Sequence, residues 1–286
     1  MNRCAFVVPL HPKHFSYGYN IADSLSKSDA DLYFVFTNEA EKDLFQRGEN
    51  REEHQKGRIK YDFFLLENFM HLSIAEQRNS FVIMKKLYAT SALYTKYDYI
   101  SCIDAEVQFL KSQGFYEMMK SVVDSRIIFG GRLLPSMNLE RKIVKTSLTS
   151  VTSPRYHKRL DLLSKDFSVF TWWSNIPVYD CKNVKDFLKW IHFPPEHLSI
   201  FSWYLFDDMT YNFFCILLHD YSLQLVPTCI HSLELQSSVM IQKTNDSFGK
   251  ILKWVNSKAY HQNPFYYTEN NFYVVFHMDR FKEHAR

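Results

Sequence analysis

Two carboxylates, two residues apart, follow an apolar run in the first half of the sequence. Residues 97–103 are mostly aromatic or β-branched, which is typical of a buried strand, and Asp104 and Glu106 come directly after them. Carboxylate oxygens at this spacing suit Mn²⁺ or Mg²⁺, ions that usually complete their coordination with water and substrate phosphates. The pair is therefore a candidate site for a divalent ion. The alternative is that both acids are solvated side chains at the end of a strand.

A literal Asp-x-Asp spacing also occurs at Asp29 and Asp31. That pair stands before its predicted strand, residues 32–36, in a stretch rich in Ser, Lys and Asp. Such residues favour turns because their short polar side chains hydrogen-bond to nearby backbone groups. We interpret the pair as a solvated turn that ends a helix, since it precedes a strand whereas Asp104 and Glu106 follow one.

Length and composition indicate one compact α/β protein. Of 286 residues, 46% are hydrophobic and 17% aromatic, so the chain can bury a substantial core. Its 34 Lys and Arg against 31 Asp and Glu give a formal net charge of +3, too balanced for a surface that binds nucleic acid. The five cysteines are scattered and never spaced Cys-x-x-Cys, which argues against a disulfide framework or a zinc ribbon. A reducing compartment, the cytoplasm, fits best.

No hydrophobic stretch predicts a targeting or membrane-spanning segment. The run at residues 5–10 is too short for a signal peptide, and no run approaches the roughly 18 apolar residues of a spanning helix. We expect a soluble protein that can still lie on a membrane surface. The glycine motifs of dinucleotide oxidoreductases and P-loop NTPases, and the Gly-x-Ser-x-Gly of serine hydrolases, do not occur, which disfavours those three classes.

The predicted elements alternate between strands and helices, which favours a mostly parallel sheet. Ligands of such sheets bind beyond the carboxyl ends of the strands. A nucleotide base and ribose can therefore bind near Pro9 and His11, at the end of the first strand, and near Thr37 and Asn38, after the second. Asn38 is also a good N-cap.

The predicted strands are residues 5–10, 32–36, 61–66, 97–103, 126–129, 223–227 and 272–276. The predicted helices are residues 21–25, 39–46, 74–94, 115–122, 184–191, 207–219 and 250–258.

The predicted helix at residues 74–94 is apolar on most faces and should be largely covered. Lys85 and Lys86 interrupt this apolar surface, as does Arg78. A basic residue here, one element before Asp104, can reach a diphosphate, and Lys86 is our candidate. The alternative for each of the three is a side chain that carries its charge from the helix rim into solvent.

Residues 126–159 contain two candidate ligand-contact segments. Gly130 and Gly131 stand at the end of a predicted strand, where glycine lets a backbone approach a sugar closely, and an ordinary tight turn is the alternative. Residues 133–159 are rich in Ser, Thr, Lys and Arg without clear periodicity, which predicts a mobile loop or lid.

Aromatic residues and a pair of acids mark the second half of the chain. Trp172 and Trp173 lie in a strand-like run with Asn175. Because adjacent side chains on a strand point to opposite faces, at most one Trp is in the core, and the other can be a stacking platform for a sugar. Asp207 and Asp208 begin a predicted helix, where the helix dipole favours acids and is enough on its own to explain them.

Together these features resemble the GT-A class of nucleotide-sugar-dependent glycosyltransferases. The resemblance rests on the strand that ends at Pro9, the Thr37-Asn38 pair, the covered helix, Asp104-Ala105-Glu106 and the Gly-Gly pair, and it is closer in the first half than in the second. It implies a single Rossmann-like α/β domain with a mixed, mostly parallel central sheet flanked by helices. Residues 1–132 would form the nucleotide-sugar-binding half, and residues 133–286 the acceptor side with a C-terminal extension.

The resemblance also implies ligands for a divalent ion. Glu106 would be the principal ligand of Mn²⁺ or Mg²⁺, and Asp104 would contact the ion or the donor ribose and sugar. His277 is similar to a late histidine that some members use as a further ligand, and a histidine at the rim of the fold is the alternative. Arg280 and Lys282 would neutralise the diphosphate.

In inverting members of the class, a carboxylate at the start of an acceptor-side helix deprotonates the acceptor hydroxyl. Asp207 and Asp208 both match that placement, and Asp208 is the preferred candidate. In a retaining enzyme neither residue would be a base. The implied reaction transfers a sugar from a nucleoside diphosphate sugar, with UDP favoured, to a hydroxyl of a glycan or glycoconjugate, with Trp172, Trp173 and Asn175 on the acceptor side. A metal-dependent nucleotidyltransferase and a non-catalytic carbohydrate-binding protein remain as alternatives.

Overall fold

In this computed structural model, residues 3–49, 61–70, 81–105, 107, 113–132, 138–149, 169–171, 177–194 and 206–226 are described. The strands in these ranges are β1 (Cys4–Pro9), β2 (Asp31–Phe36), β3 (Asp62–Leu65), β4 (Tyr99–Cys102), β5 (Ile127–Arg132), β6 (Val169–Phe170), β7 (Val178–Asp180) and β8 (Ser222–Val226). The α-helices are α1 (Phe15–Ser24), α2 (Glu39–Glu49), α3 (Phe81–Leu93), α4 (Phe115–Ser125), α5 (Asn138–Thr149), α6 (Cys181–Trp190) and α7 (Asp207–Leu218). None of the helices in these ranges combines the length and the apolar character needed to cross a bilayer.

Five strands form the central sheet in the order β3-β2-β1-β4-β7. The first four are mutually parallel, and β7 runs antiparallel beside β4. The register pairs Pro9 with Val35 and Val7 with Cys102, so the carboxyl ends of β1, β2 and β4 lie along one edge of the sheet. The predicted α/β architecture, a mixed and mostly parallel sheet flanked by helices, is confirmed.

Helices cover both faces of the central sheet, because side chains alternate along its buried strands. In β1, Ala5 and Val7 belong to a core that they share with residues of α3, α6 and α7. Cys4, Phe6 and Val8 belong to a second core, shared with residues of α1, α2 and α4. The continuous apolar run of this strand therefore reflects a strand that is covered on both sides.

The first helix begins well before the predicted segment at residues 21–25. α1 starts at Phe15, and the rings of Phe15 and Tyr19 lie 5.1 and 4.4 Å from the ring of Phe45 in α2. Gly18 permits this approach, because a Cβ atom at that position would lie 3.0 Å from the Phe45 ring. The first turns of α1 are therefore packed against α2 through aromatic rings. The periodicity of residues 21–25 alone does not reveal that the helix begins at Phe15.

Three strands form a second sheet in the order β6-β5-β8. Gly130 and Gly131 lie within β5, where they pair with Leu225 and Val226 of β8. The prediction that the strand ends at these glycines is therefore wrong, since the strand continues through Arg132. The ladder extends because β8, almost a hundred residues later in the chain, supplies a parallel partner.

The loop or lid predicted for residues 133–159 is wrong for residues 138–149, which form α5. Ile143, Val144 and Leu148 of this helix are buried in a third core with residues of α7. Ser147 is also buried. A polar residue on the inner face weakens the apolar periodicity, which is why composition alone suggested a loop.

Asp29 lies exposed in a bend between α1 and β2, as predicted, and Asp31 begins β2. Both acids also have structural partners, which the prediction did not include. Asp29 accepts hydrogen bonds from the backbone N–H groups of Phe115, at 3.2 Å, and Tyr116, at 3.4 Å, in the first turn of α4. Asp31 accepts from the hydroxyl of Tyr97 at 2.6 Å. The first acid caps the start of a helix, and the second joins β2 to the segment before β4.

Candidate active site

α3 carries two adjacent lysines into the interior of the protein. Lys85 is 3% exposed and Lys86 is 7% exposed, and most of their neighbours along the helix are buried apolar residues. The alternative in which these side chains extend from the helix rim into solvent is wrong for both. A buried ammonium needs partners that replace water, so the groups around each lysine indicate what this part of the helix does.

Lys86 lies between the end of β4 and the start of α7. Its Nζ is 2.9 Å from Oδ1 of Asp104 and 3.9 Å from Oδ1 of Asp207. Burial alone would lower the pKa of Lys86, but the charges of Asp104, then Asp207 and Asp208, outweigh burial and hold that pKa above its ordinary value. Lys86 is therefore a charged ammonium that joins carboxylates from distant parts of the chain.

Asp104 stands just beyond the carboxyl end of β4. The strand ends at Cys102, and the backbone N–H of Ile103 still donates to the carbonyl of Val7 at 3.0 Å, which fixes the chain beside β1 up to this point. The Asp104 side chain is 27% exposed. It therefore pairs with a buried lysine while remaining accessible to a ligand at the edge of the sheet.

α7 begins with two acids, as predicted, and both have buried oxygens. Asp207 is 2% exposed, and the hydroxyl of Tyr179 in β7 donates to its Oδ2 at 2.6 Å. Within the described part of the chain, Oδ1 of Asp207 and Oδ1 of Asp208 are buried without a hydrogen-bond partner. The helix dipole explains acids in a first turn, but it does not explain two carboxylate oxygens that are withdrawn from water without a hydrogen-bond donor.

Burial raises the pKa of both acids. For Asp208, burial and then the neighbouring charge of Asp207 raise the pKa to about 7, against the opposing effect of Lys86. Burial also raises the pKa of Asp207, while Lys86 and the hydrogen bond from Tyr179 act in the opposite direction. A carboxylate whose pKa lies near neutrality can accept a proton from a substrate at physiological pH.

What we call the acidic cluster consists of Asp104, Asp207, Asp208 and Lys86. Three carboxylates here face one ammonium. Carboxylate oxygens accept hydrogen bonds and attract cations, whereas the lysine can donate to an oxygen of a ligand. The acidic cluster therefore suits a ligand that carries several hydroxyl groups.

The predicted nucleoside-contact residues lie at the same edge of the sheet. Pro9 is the last residue of β1, and the exposed His11 follows it. Thr37 follows β2, and its backbone N–H donates to Oε2 of Glu41 at 2.7 Å. Oδ1 of Asn38 accepts from the backbone N–H of Glu41 at 3.0 Å, which confirms the predicted N-cap of α2.

Several predicted site residues lie outside the described residues, namely Glu106, Trp172, Trp173, Asn175, His277, Arg280 and Lys282. Of the three predicted metal ligands, Asp104 is in the described part, and its carboxylate is of the type that Mn²⁺ and Mg²⁺ prefer. Among the residues that the structure describes, no three His, Cys, Asp or Glu side chains are grouped in a way that could hold a metal ion.

Two partners of the buried charges were missed by sequence reasoning. Tyr179 donates to Asp207 from β7, and Glu41 of α2 has its Oε2 3.5 Å from Nζ of Lys85. Tyrosine is common in an aromatic-rich strand, and glutamate is common in the first turn of a helix. No local signal distinguishes these two residues, because their roles come from elements that are far apart in the chain.

No protein-family model matches the chain, and no curated protein matches it. Among solved structures, it is similar to core-mannan synthase A from Aspergillus fumigatus in its Mn/GDP form, with 14% identity, a TM-score of 0.40, and coverage of 79% of this chain and 73% of that one. It is also similar to mouse xyloside xylosyltransferase 1, with 9% identity, a TM-score of 0.35, and coverage of 84% and 92%. A third similar structure is the galactosyltransferase LgtC with donor and acceptor sugar analogues, with 10% identity, a TM-score of 0.38, and coverage of 98% and 95%. At these identities and TM-scores, the function has to be argued from the site itself.

Proposed function

We propose that this protein is a glycosyltransferase that moves a sugar from a nucleoside diphosphate sugar to a hydroxyl group of a glycan or glycoconjugate. The observation that carries the proposal is the acidic cluster, in which Lys86 links Asp104 at the end of β4 to Asp207 at the start of α7. It stands at the carboxyl edge of a mostly parallel sheet, where the ligands of open α/β sheets bind.

The donor lies along this edge in the proposed complex. Its base and ribose contact the segments after β1 and β2, which carry His11, Thr37 and Asn38. Its diphosphate and sugar extend toward the end of β4, where Lys86 and Asp104 offer one donor group and one acceptor group to sugar and phosphate oxygens. UDP is the favoured nucleotide, and Arg280 and Lys282 are candidates to neutralise the diphosphate.

Asp208 is the proposed general base, and the reaction is then inverting. The acceptor hydroxyl gives its proton to the Asp208 carboxylate, the acceptor oxygen bonds to the anomeric carbon, and the bond from that carbon to the diphosphate oxygen breaks. The pKa of Asp208, raised to about 7 by burial and by Asp207, suits proton transfer at neutral pH. Trp172, Trp173 and Asn175 are the candidate contacts of the acceptor sugar.

A divalent ion is the proposed cofactor. Asp104 is accessible and has the right type of oxygen ligand, and Glu106 and His277 are the proposed further ligands. When bound, Mn²⁺ or Mg²⁺ would supply positive charge that stabilises the departing diphosphate.

The test is isothermal titration of the protein with UDP-glucose, UDP-galactose, GDP-mannose and dTDP-rhamnose in the presence of Mn²⁺, repeated after EDTA. We expect one of these donors to bind, and we expect EDTA and Glu106→Ala each to abolish the heat of binding. The matched control is Asp124→Ala, which removes an acid whose side chain is 60% exposed on α4. If none of the four donors binds, the proposal is wrong, and a titration with free glycans then tests the carbohydrate-binding alternative.

A further inference from the structure

Lys85, the neighbour of Lys86 on α3, lies apart from the acidic cluster and has its own buried partners. Its side chain is 4% exposed. Its Nζ donates a hydrogen bond to the carbonyl oxygen of Leu10, the residue that follows β1. The same Nζ lies 3.5 Å from Oε2 of Glu41 in the first turn of α2.

Glu41 extends this contact to the end of β2. Its Oε2, which faces Lys85, also accepts from the backbone N–H of Thr37 at 2.7 Å. The carbonyl of Thr37 accepts from the backbone N–H of Glu67 at 3.1 Å, just beyond β3. One buried ammonium is thus connected directly to the segment after β1, through the carbonyl of Leu10, and to the segment after β2 through the carboxylate of Glu41.

The ammonium of Lys85 is costly to the folded state. Burial lowers the pKa of Lys85 to about 8, although Glu41 opposes this effect. A lysine whose folded pKa is lowered makes the fold less stable below that pKa, because the unfolded chain holds the proton more strongly. An apolar side chain of similar length at this position would avoid the cost. Folding alone therefore does not require the charge.

We infer that Lys85 is a positioning residue that holds the segments after β1 and β2 in the arrangement that binds the nucleoside of the donor. This inference rests on the proposed function, since it concerns the same nucleotide-binding edge. The segments that Lys85 and Glu41 hold carry His11 and Thr37, two of the proposed nucleoside contacts. Lys85 acts through Leu10 and Glu41 and does not itself touch the donor.

The arrangement makes nucleotide binding depend on pH in a particular way. Lys85 loses its charge as the pH rises through about 8, and its attraction to Glu41 is then lost. Among the described residues, His11 also interacts with Lys85, and partial desolvation lowers the pKa of His11 below its ordinary value, so this imidazole is neutral throughout that range. The affinity for the donor should therefore fall as the pH rises from 7 to 9.

The experiment compares wild type, Lys85→Met, Lys85→Arg, Glu41→Gln and the control Lys96→Met, which changes an exposed lysine just after α3. The probe is whichever of the four nucleotide sugars named above binds to the wild type, titrated with Mn²⁺ at pH 7, 8 and 9. We expect Lys85→Met to weaken binding by about three- to tenfold at pH 7, the loss expected when one charged hydrogen bond acts through another group. We expect an unchanged or higher melting temperature for this variant and no change in either quantity for Lys96→Met.

The pH dependence separates a positioning role from a merely structural one. Lys85→Arg keeps its charge at pH 9 and should bind the donor equally at pH 7 and 9. Glu41→Gln removes the charge that attracts Lys85, so this variant should already bind the donor more weakly at pH 7 and should change little between pH 7 and 9. The double variant Lys85→Met/Glu41→Gln leaves no unpaired charge, and we expect it to bind the donor about three- to tenfold more weakly than wild type at pH 7. It therefore tests the inference even if Lys85→Met does not fold.

The outcomes distinguish this inference from the proposed function. If the wild type binds a donor and Lys85→Met binds it equally well at every pH, the inference is wrong and the proposed function stands. If Lys85→Met lowers the melting temperature while the double variant binds normally, Lys85 is a structural residue and the inference is again wrong. If the wild type binds none of the four donors, the proposed function itself has failed.

Discussion

Asp207 and Asp208 are adjacent in the chain, yet their surroundings give them different properties. Asp207 is almost fully buried and is held by the hydroxyl of Tyr179 and the ammonium of Lys86. Asp208 has a buried oxygen that makes no hydrogen bond with any described residue. At the scale of single residues, Asp207 is suited to organising the site, and Asp208 is suited to accepting a proton.

Replacing Asp208 tests the assignment of the general base. We expect Asp208→Asn to lower kcat by about 10²- to 10⁴-fold, the usual contribution of general acid–base catalysis, with little change in donor affinity. The measurement is a steady-state assay of nucleoside diphosphate release, with Asp124→Asn as a surface control. A kcat within about threefold of wild type would remove Asp208 from the mechanism, since general acid–base catalysis is normally worth far more.

The same substitution should change how stability depends on pH. The pKa of Asp208 is about 7 in the folded protein, above its ordinary value, so the stability linked to this group is complete at low pH and is lost as the pH rises through 7. Asp208→Asn cannot lose a proton, and we expect it to be more stable than wild type at pH 7.5 by on the order of 2 kcal/mol. This difference should shrink toward pH 5 in urea unfolding. A variant that is less stable than wild type at pH 7.5 would contradict the raised pKa.

Tyr179→Phe tests whether the hydrogen bond to Asp207 positions the cluster. Loss of the hydroxyl leaves a buried carboxylate oxygen without its donor, which should cost about 1–3 kcal/mol of unfolding free energy and raise the pKa of Asp207 further. We expect kcat to fall more than donor affinity, and the pH–rate profile to shift. Tyr211→Phe is the control, because the Tyr211 hydroxyl accepts from the Asp180 backbone instead. Equal effects of the two variants on the pH–rate profile would argue against a positioning role.

At the scale of elements, the ends of helices and strands decide which acids are structural. α4 begins after Gly114, which has a φ of 82° and no side chain with which to cap the helix. Asp29, from the turn before β2, supplies the missing acceptor for Phe115 and Tyr116. Asp29, the first acid of the Asp-x-Asp sequence at residues 29–31, thus caps a helix that begins more than eighty residues later in the chain.

Asp29→Ala should therefore affect stability and leave activity intact. We expect a loss of about 1 kcal/mol of unfolding free energy, typical of removing an N-cap acceptor. Asp29→Asn should retain most of the stability, because asparagine is also a good cap. Urea unfolding at pH 7.5 measures both variants. A loss of donor binding in Asp29→Ala at unchanged stability would show that this acid belongs to a ligand site.

At the scale of the whole molecule, Lys86 connects the central sheet to a helix of the third core. It extends from α3, pairs with Asp104 beyond β4, and faces Asp207 at the start of α7. Residues of α7 also pack against Ile128 of the second sheet. The acidic cluster therefore lies where the two sheets and their helices are joined, and its charges affect folding as well as chemistry.

Lys86→Met should destabilise the protein strongly at neutral pH. Removing the one ammonium leaves three carboxylates uncompensated, and breaking a buried ion pair in this way typically costs about 3–5 kcal/mol. Without Lys86 the pKa values of the carboxylates rise, so stability should fall as the pH rises and recover toward pH 5. Thermal unfolding at pH 5 and 7.5 measures this effect. Lys85→Met is the matched control. An equal loss of unfolding free energy in both variants would contradict the prediction that Lys86 in particular compensates the buried carboxylates.

The sequence by itself determined the four parallel strands of the central sheet and the candidate acids at the ends of elements, but not the antiparallel strand β7. Apolar runs and turn residues located β1, β2 and β4, and the positions just after a strand or at the start of a helix identified Asp104, Asn38 and Asp207. These features are local, because side-chain periodicity and capping act within a few residues. For the same reason the polar helix α5 was missed, since its inner face includes Ser147 and is recognised only by its packing.

Only the tertiary structure decided which charges meet. It turned both lysines of α3 inward, toward different partners, and it brought Tyr179, Asp104 and Asp207 together from three elements. Such contacts depend on how helices and strands cross, and no spacing in the sequence encodes them. The cost of burying an unpaired charge then makes the pairing of Lys86 with Asp104 and Asp207 obligatory in the folded state, which is why the acidic cluster is a property of the fold and not of any single motif.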